Sequence, residues 1–182
     1  MYEKLRVFAL VGLISLVALG RGCAVPAAGA SASAADAELL REVRDRAEID
    51  ALMWRYVRAL DSLDENAYAD LYTADGSFGS GARAAKGHEA LKKVITDVQH
   101  ARAEREAKSG AKSPKMYHVI TNPYLEFTDR DHARLQSYWM TVFAAADSNS
   151  QPRVAAVGRS VDELVRVDGQ WRIHTRDVAP RD

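Results

Sequence analysis

The chain has 182 residues, 47% of them hydrophobic and 27% charged, the profile of one ordinary globular domain, which excludes a disordered or fibrous protein. Positive and negative side chains balance at 25 each, and no basic stretch is interleaved with aromatics, so nucleic acid is excluded as a partner class. Cys23 is the only cysteine; no intrachain disulfide can form, and stability must come from packing.

Lys4 and Arg6 precede an apolar run from Val7 to Leu19, and small residues follow through Ala35. This pattern predicts an export segment over residues 1–34, with small-x-small cleavage sites such as Ala28-Gly29-Ala30 and Ala32-Ser33-Ala34, and a mature domain over 35–182 in the periplasm or the medium. The run is shorter than the ~20 apolar residues of a spanning helix and breaks at Gly20-Arg21-Gly22, which argues against stable membrane insertion. Cys23 follows the run as a lipid acceptor would, but Gly20 and Arg21 depart from the small-apolar pattern of such sites, so a lipid anchor is the weaker reading. Processing would remove Lys4, Arg6 and Arg21 against Glu3 and leave the domain slightly acidic.

From Asp36 to about Leu60 the apolar residues fall at helical spacing, with Leu40, Val43, Ala47, Ile49, Leu52, Met53, Tyr56, Val57 and Leu60 in one pattern. The charged residues of that segment, Arg41, Arg44, Asp45, Arg46 and Arg55, are expected on the solvated face. Ser62 with Glu65 has capping-box spacing, Asp64 is an alternative N-cap, and a second helix is expected through Leu71 and Tyr72 until Asp75-Gly76 stops it. Ser77-Phe78 reads as a short strand. A third helix is expected from His88 to about Arg105, followed by a polar, mobile stretch to Lys115. Four strands then follow, Met116–Phe127, Ala133–Ala144, Val154–Val167 and Gln170–Val178, with Asp168-Gly169 as a two-residue hairpin turn. Three helices ahead of a strand meander predict an α+β fold in which helices cover one face of a curved antiparallel sheet.

That order, and several stretches within it, resembles the SnoaL-like branch of the nuclear-transport-factor-2-like superfamily over about residues 40–178. The family-like words are Ala59-Leu60-Asp61-Ser62-Leu63-Asp64, Leu71-Tyr72-Thr73-Ala74-Asp75-Gly76, His118-Val119-Ile120-Thr121-Asn122-Pro123, Ser137-Tyr138-Trp139 and Asp168-Gly169-Gln170-Trp171-Arg172-Ile173. The resemblance implies a cone-shaped α+β barrel that works without a cofactor, and homodimerisation through the outer face of the sheet. It leaves the reaction open, because the same cone carries dehydratases, isomerases, cyclases and proteins without catalysis. Within the superfamily the chain is most similar to the scytalone and bile-acid dehydratases. Tyr56 stands five positions before Asp61, and His118 lies near the start of the first long strand, where those enzymes place a catalytic histidine. The second histidine of the scytalone enzymes has no counterpart between Tyr138 and Phe143.

The resemblance implies catalytic roles for His118, Asp61 and Tyr56. A histidine can take a proton and return it near neutral pH, a carboxylate on its other nitrogen fixes the tautomer, and a phenol can donate to a developing oxyanion. The expected reaction is β-elimination of water beside a carbonyl in a cyclic, largely apolar compound of steroid-like or polyketide type. Trp54, Tyr72, Phe78, Asn122, Tyr138, Trp139 and Arg159 are the candidate substrate-binding residues. Each residue also has a structural reading: His118 as a hydrogen-bonded strand histidine, Asp61 as a turn cap, Tyr56 and the aromatics as core, and Arg159 and Arg176 as a solvated strand face. His88, His100, His132 and His174 lack the paired spacing of a zinc site, so no metal is expected. Two further readings stay open: isomerisation with Asp61 as base and Tyr56 as oxyanion donor, and a small-molecule-binding or interaction module without turnover.

Overall fold

A computed structural model of the chain describes residues 33–145 and 149–180. The expected export signal and Cys23 lie outside the described residues. No described helix is long and apolar enough to cross a membrane.

Helix α1 spans Ala34–Ser62. Its start is fixed by a capping box in which the Ser33 hydroxyl accepts from the Asp36 backbone N–H and the Asp36 carboxylate accepts from the Ser33 N–H. Ile49, Leu52, Met53, Tyr56 and Val57 are buried along one stripe, as the 3.6-residue period requires. Asp45, expected on the solvated face, is instead fully buried: it accepts from Arg41 Nη1 at 2.5 Å and pairs with Arg166 Nη2. The Arg166 guanidinium also lies 4.6 Å from the centre of the Trp171 ring, so this ion pair pins α1 to the last hairpin of the sheet.

Leu63 ends α1 in the left-handed conformation at φ 56°, and Asp64 caps α2, Glu65–Ala69, through the Ala67 N–H. The cap is therefore Asp64, while the Ser62 hydroxyl turns back to the Arg58 carbonyl. The second helix is shorter than its apolar spacing predicts. Tyr72 opens strand β1, Tyr72–Phe78, instead of closing a helix, because the chain here pairs with a strand a hundred residues away, and local periodicity does not carry that information. Gly76 sits inside this strand, where a Cβ would come within 2.9–3.0 Å of Tyr72 Cβ and the Ile173 carbonyl; a close backbone approach, rather than a helix stop, is what demands glycine.

Strand β2, Ala85–Lys86, was not anticipated; α3, His88–Ser109, was, and runs one turn further than expected. Arg102 and Glu106 of α3 hold Ser113 in the following segment, the former on its carbonyl and the latter on its N–H. Strands β3 (Met116–Phe127), β4 (His132–Phe143), β5 (Arg153–Val167) and β6 (Gln170–Asp177) complete one six-stranded, curved, unclosed sheet in the order β2-β1-β6-β5-β4-β3. The meander is antiparallel as expected, but β1 joins it parallel to β6. The three helices lie against this sheet and enclose a core of residues from α1, α2, α3 and the inner faces of β4, β5 and β6. Strand β3 is one free edge of the sheet, and the short β2 is the other.

Two irregularities set which side chains face inward. In β3, Thr121 pairs with Tyr138 while Tyr124 pairs with Gln136, so one extra residue bulges at Asn122-Pro123, with Asn122 at φ 51°. In β6, Ile173 pairs with Leu164 and Thr175 with Glu163, so His174 is supernumerary. Strict alternation would turn Arg176 outward after Trp171 and Ile173; the bulge turns it inward.

Candidate functional site

A cleft of about 370 Å³ opens between α1 and the β3 edge of the sheet. Helix α1 contributes Asp50, Met53, Trp54 and Val57; β3 and β4 contribute His118, Val119, Ile120, Pro123 and Leu135. The lining is apolar apart from Asp50 and His118, the composition expected of a site that excludes water from a few placed polar groups.

His118 and Asp61 meet at one end of the cleft. The Asp61 Oδ1 lies 2.9 Å from His118 Nδ1 and also accepts the His118 backbone N–H at 2.9 Å. The second bond exists because β3 is an edge strand: its outward N–H has no neighbouring strand to pair with, and the last turn of α1 supplies the carboxylate instead. One oxygen thus fixes both the ring and the backbone it hangs from. Because an ionised carboxylate only accepts, Nδ1 carries the proton in the neutral ring and Nε2 carries the lone pair. The side chains are 19% and 12% exposed, so the pair is sheltered yet reachable.

Tyr56 does not line this cleft. Its ring belongs to an enclosed polar cluster with Tyr68 at 5.6 Å and the Arg176 guanidinium at 4.3 Å from the ring centre. Arg176 forms an ion pair with Asp162, its cross-strand partner, and both are fully buried. Tyr68 and Tyr72 hydroxyls are 3.0 Å apart, and Ser137 and Ser160 hydroxyls 2.9 Å apart. Burial pushes all three tyrosines up, with Arg176 opposing the rise at Tyr56. It also pushes the Asp162 carboxyl up to about 6, against the pull of Arg176. Burial disfavours the charged Arg176, yet Tyr56, Asp162 and Tyr72 around it raise its pKa above the ordinary value. Asp162 Oδ1 and Arg176 Nε have no hydrogen-bond partner among the described residues.

The expected substrate-binding residues separate into four places. Trp54 is on the cleft rim, 64% exposed, with Arg58 stacked at 5.9 Å. Tyr72 and Phe78 sit in or beside the tyrosine cluster. Trp139 lies on the inner face, packed flat over Gly158, and its indole N–H donates to the Val178 carbonyl at 3.1 Å. Asn122 is exposed in the β3 bulge, its amide oxygen accepting from the Thr121 hydroxyl. Tyr138 and Arg159 are directly paired on β4 and β5, on the opposite face of the sheet from Trp139 and Ser160. They therefore share no cavity with His118. The sequence reading missed Asp50, the charged residue among the α1 side chains that line the cleft, and it placed Arg176 on the surface because the β6 bulge leaves no mark in the alternation. Among the described residues no group of three or more His, Cys, Asp or Glu is placed to hold a metal ion.

No curated protein matches the chain. Among solved structures it is similar to a nuclear-transport-factor-2-like protein with a cystatin-like fold from Novosphingobium aromaticivorans, at 23% identity and a TM-score of 0.65, covering 80% of this chain and 88% of the other. It is similar to ActVI-ORFA from Streptomyces coelicolor, at 23% identity and a TM-score of 0.61, over 74% and 95% of the two chains. A third is a candidate scytalone dehydratase from Novosphingobium aromaticivorans, at 20% identity and a TM-score of 0.60, over 76% and 85%. These likenesses establish the cone fold. Residues 41–177, from the first helix through the last strand, match the SnoaL-like domain, and the chain belongs to that family.

Proposed function

We propose that this SnoaL-like domain is a cofactor-independent lyase or isomerase that moves a proton beside a carbonyl in a cyclic, largely apolar hydroxy-carbonyl compound. The supporting observation is the 2.9 Å contact between Asp61 Oδ1 and His118 Nδ1 beside an apolar cleft. In the elimination we favour, His118 Nε2 takes the proton α to the carbonyl and the electron pair is delocalised onto the carbonyl oxygen. That pair then returns to form the carbon–carbon double bond as the β carbon–oxygen bond breaks, and the imidazolium gives its proton to the departing hydroxyl, which leaves as water. Asp61 stabilises the imidazolium between the two transfers. Since its Oδ1 already receives two N–H groups from His118, Asp61 is the orienting group and His118 the base, which favours elimination over an Asp61-based isomerisation. Tyr56, enclosed with Tyr68 and Arg176, acts as an oxyanion donor only if that cluster opens to substrate, and the proton transfer does not require it.

We further propose export of the domain, on the strength of the leader pattern, and a homodimer through the outer sheet face, where Tyr117, Tyr138, Val154 and Val157 stand exposed. The test of function is turnover by the purified chain across hydroxy-ketones with steroid and aromatic polyketide skeletons. Conjugated enone should form, and His118→Asn should cost ~10²–10⁴ in rate. Saturable binding with no turnover of any compound would point to the non-catalytic binding module instead.

A further inference from the structure

The cleft that holds His118 has a second polar side chain, at its far end. Asp50 shares a stripe of α1 with Trp54 and Arg58, at i, i+4 and i+8, and precedes Asp61 by a separation of ~16 Å along the helix axis. The wall between them is apolar, formed by Met53, Val57, Ile120 and Leu135. Asp50 is exposed, and no hydrogen bond or ion pair ties it to another described residue. Arg46, one turn ahead of it, is already held by Glu42 at 2.7 Å and by the Leu125 carbonyl. Arg58 lies over the Trp54 ring, 5.9 Å from its centre. The cleft therefore carries an unpaired carboxylate at one end and the Asp61–His118 pair, whose carboxylate is already engaged, at the other. A carboxylate accepts hydrogen bonds but donates none, and it repels anions. Beside low-dielectric walls its field reaches further than on an open surface.

We propose that Asp50 is a specificity-determining residue that selects apolar ligands carrying a hydroxyl or ammonium donor at the end remote from the reacting carbonyl, and rejects ligands ending there in a carboxylate. Which end of the ligand reacts rests on the assignment of His118 as base; the selection at Asp50 is a property of binding and is measurable without turnover.

The test uses three probes of nearly equal shape, naphthylethylammonium, naphthylethanol and naphthylacetate, titrated calorimetrically into the full-length chain, Asp50→Asn and Asp50→Lys. The wild type should bind the ammonium most tightly and the carboxylate least. A single partly exposed charge contact changes affinity by ~3–5-fold, so the ammonium-to-carboxylate ratio should fall ~10-fold in Asp50→Asn, and Asp50→Lys should reverse the order. Trp54→Ala should weaken all three probes alike, which places them in the cleft. An unchanged ammonium-to-carboxylate ratio in Asp50→Asn, or no saturable binding of any probe to the wild type, overturns the proposal. Should the ranking depend on Asp50 while His118→Asn leaves turnover intact, the catalytic assignment fails and the selectivity stands.

Discussion

At the scale of single residues, one carboxylate oxygen does two jobs in the candidate site: it sets the tautomer of His118 and anchors the backbone of the strand that carries it. Removing the charge while keeping the shape, in Asp61→Asn, should lower any acid–base turnover by ~10²-fold or more with the fold retained, because the amide can donate to Nδ1 and invert the tautomer. Circular dichroism together with rate measurement separates that outcome from misfolding. Asp162 makes a different prediction. Its carboxyl is pushed up to about 6 by burial, so the folded state holds that proton more tightly than the unfolded chain does. Its contribution to stability therefore falls as pH rises from about 4 to about 6 and is level above. Urea midpoints measured across that window should show this decline in the wild type and a flatter profile in Asp162→Asn; a steeper decline in the variant would contradict the assignment. Gly158 offers a steric test: a Cβ there would meet the Trp139 indole at 2.6–2.8 Å. Gly158→Ala should thus destabilise the protein by ~1–3 kcal/mol in chemical denaturation, the cost of forcing a packed interior apart.

At the scale of elements, what the sequence made legible was what local chemistry decides. The Met116–Phe127 strand, the Asp168-Gly169 turn with both residues at positive φ and the start of α3 at His88 all follow from period and turn residues. Asp64 is the clear capping case there, accepting from the Ala67 N–H at the start of α2. Asp64→Ala should cost ~1 kcal/mol in thermal or urea unfolding. Leu71 and Tyr72 show the limit. Their apolar character suits either a helix end or a strand start, and pairing of β1 with β6 across the chain decides. Arg176 shows a second limit, since a single supernumerary residue, His174, reverses the facing of everything after it. The pairing of His118 with Asp61 was accessible from the family-like words around them. Tyr56 was read toward the same point, but its stripe on α1 directs it into the enclosed cluster with Arg176.

For the molecule as a whole, the cone buries a polar cluster in its interior and leaves several large apolar side chains exposed on the outer sheet face. Tyr117, Tyr138 and Val157 are exposed on that one face, and apolar groups gathered on one surface are where association occurs. Sedimentation should find a dimer that Val157→Lys converts to monomer; a monomeric wild type would remove the proposed assembly. The cleft, in contrast, opens at the sheet's β3 edge and relies on α1 for one wall, so the proposed chemistry depends on how the dyad presents its ring. Nitrogen NMR of the histidine-labelled chain reads this most directly. Near neutral pH the unprotonated His118 ring should carry its hydrogen on Nδ1 and shift to the other tautomer in Asp61→Asn. A wild-type ring protonated on Nε2, or a tautomer indifferent to Asp61, would contradict the assignment of His118 as the base.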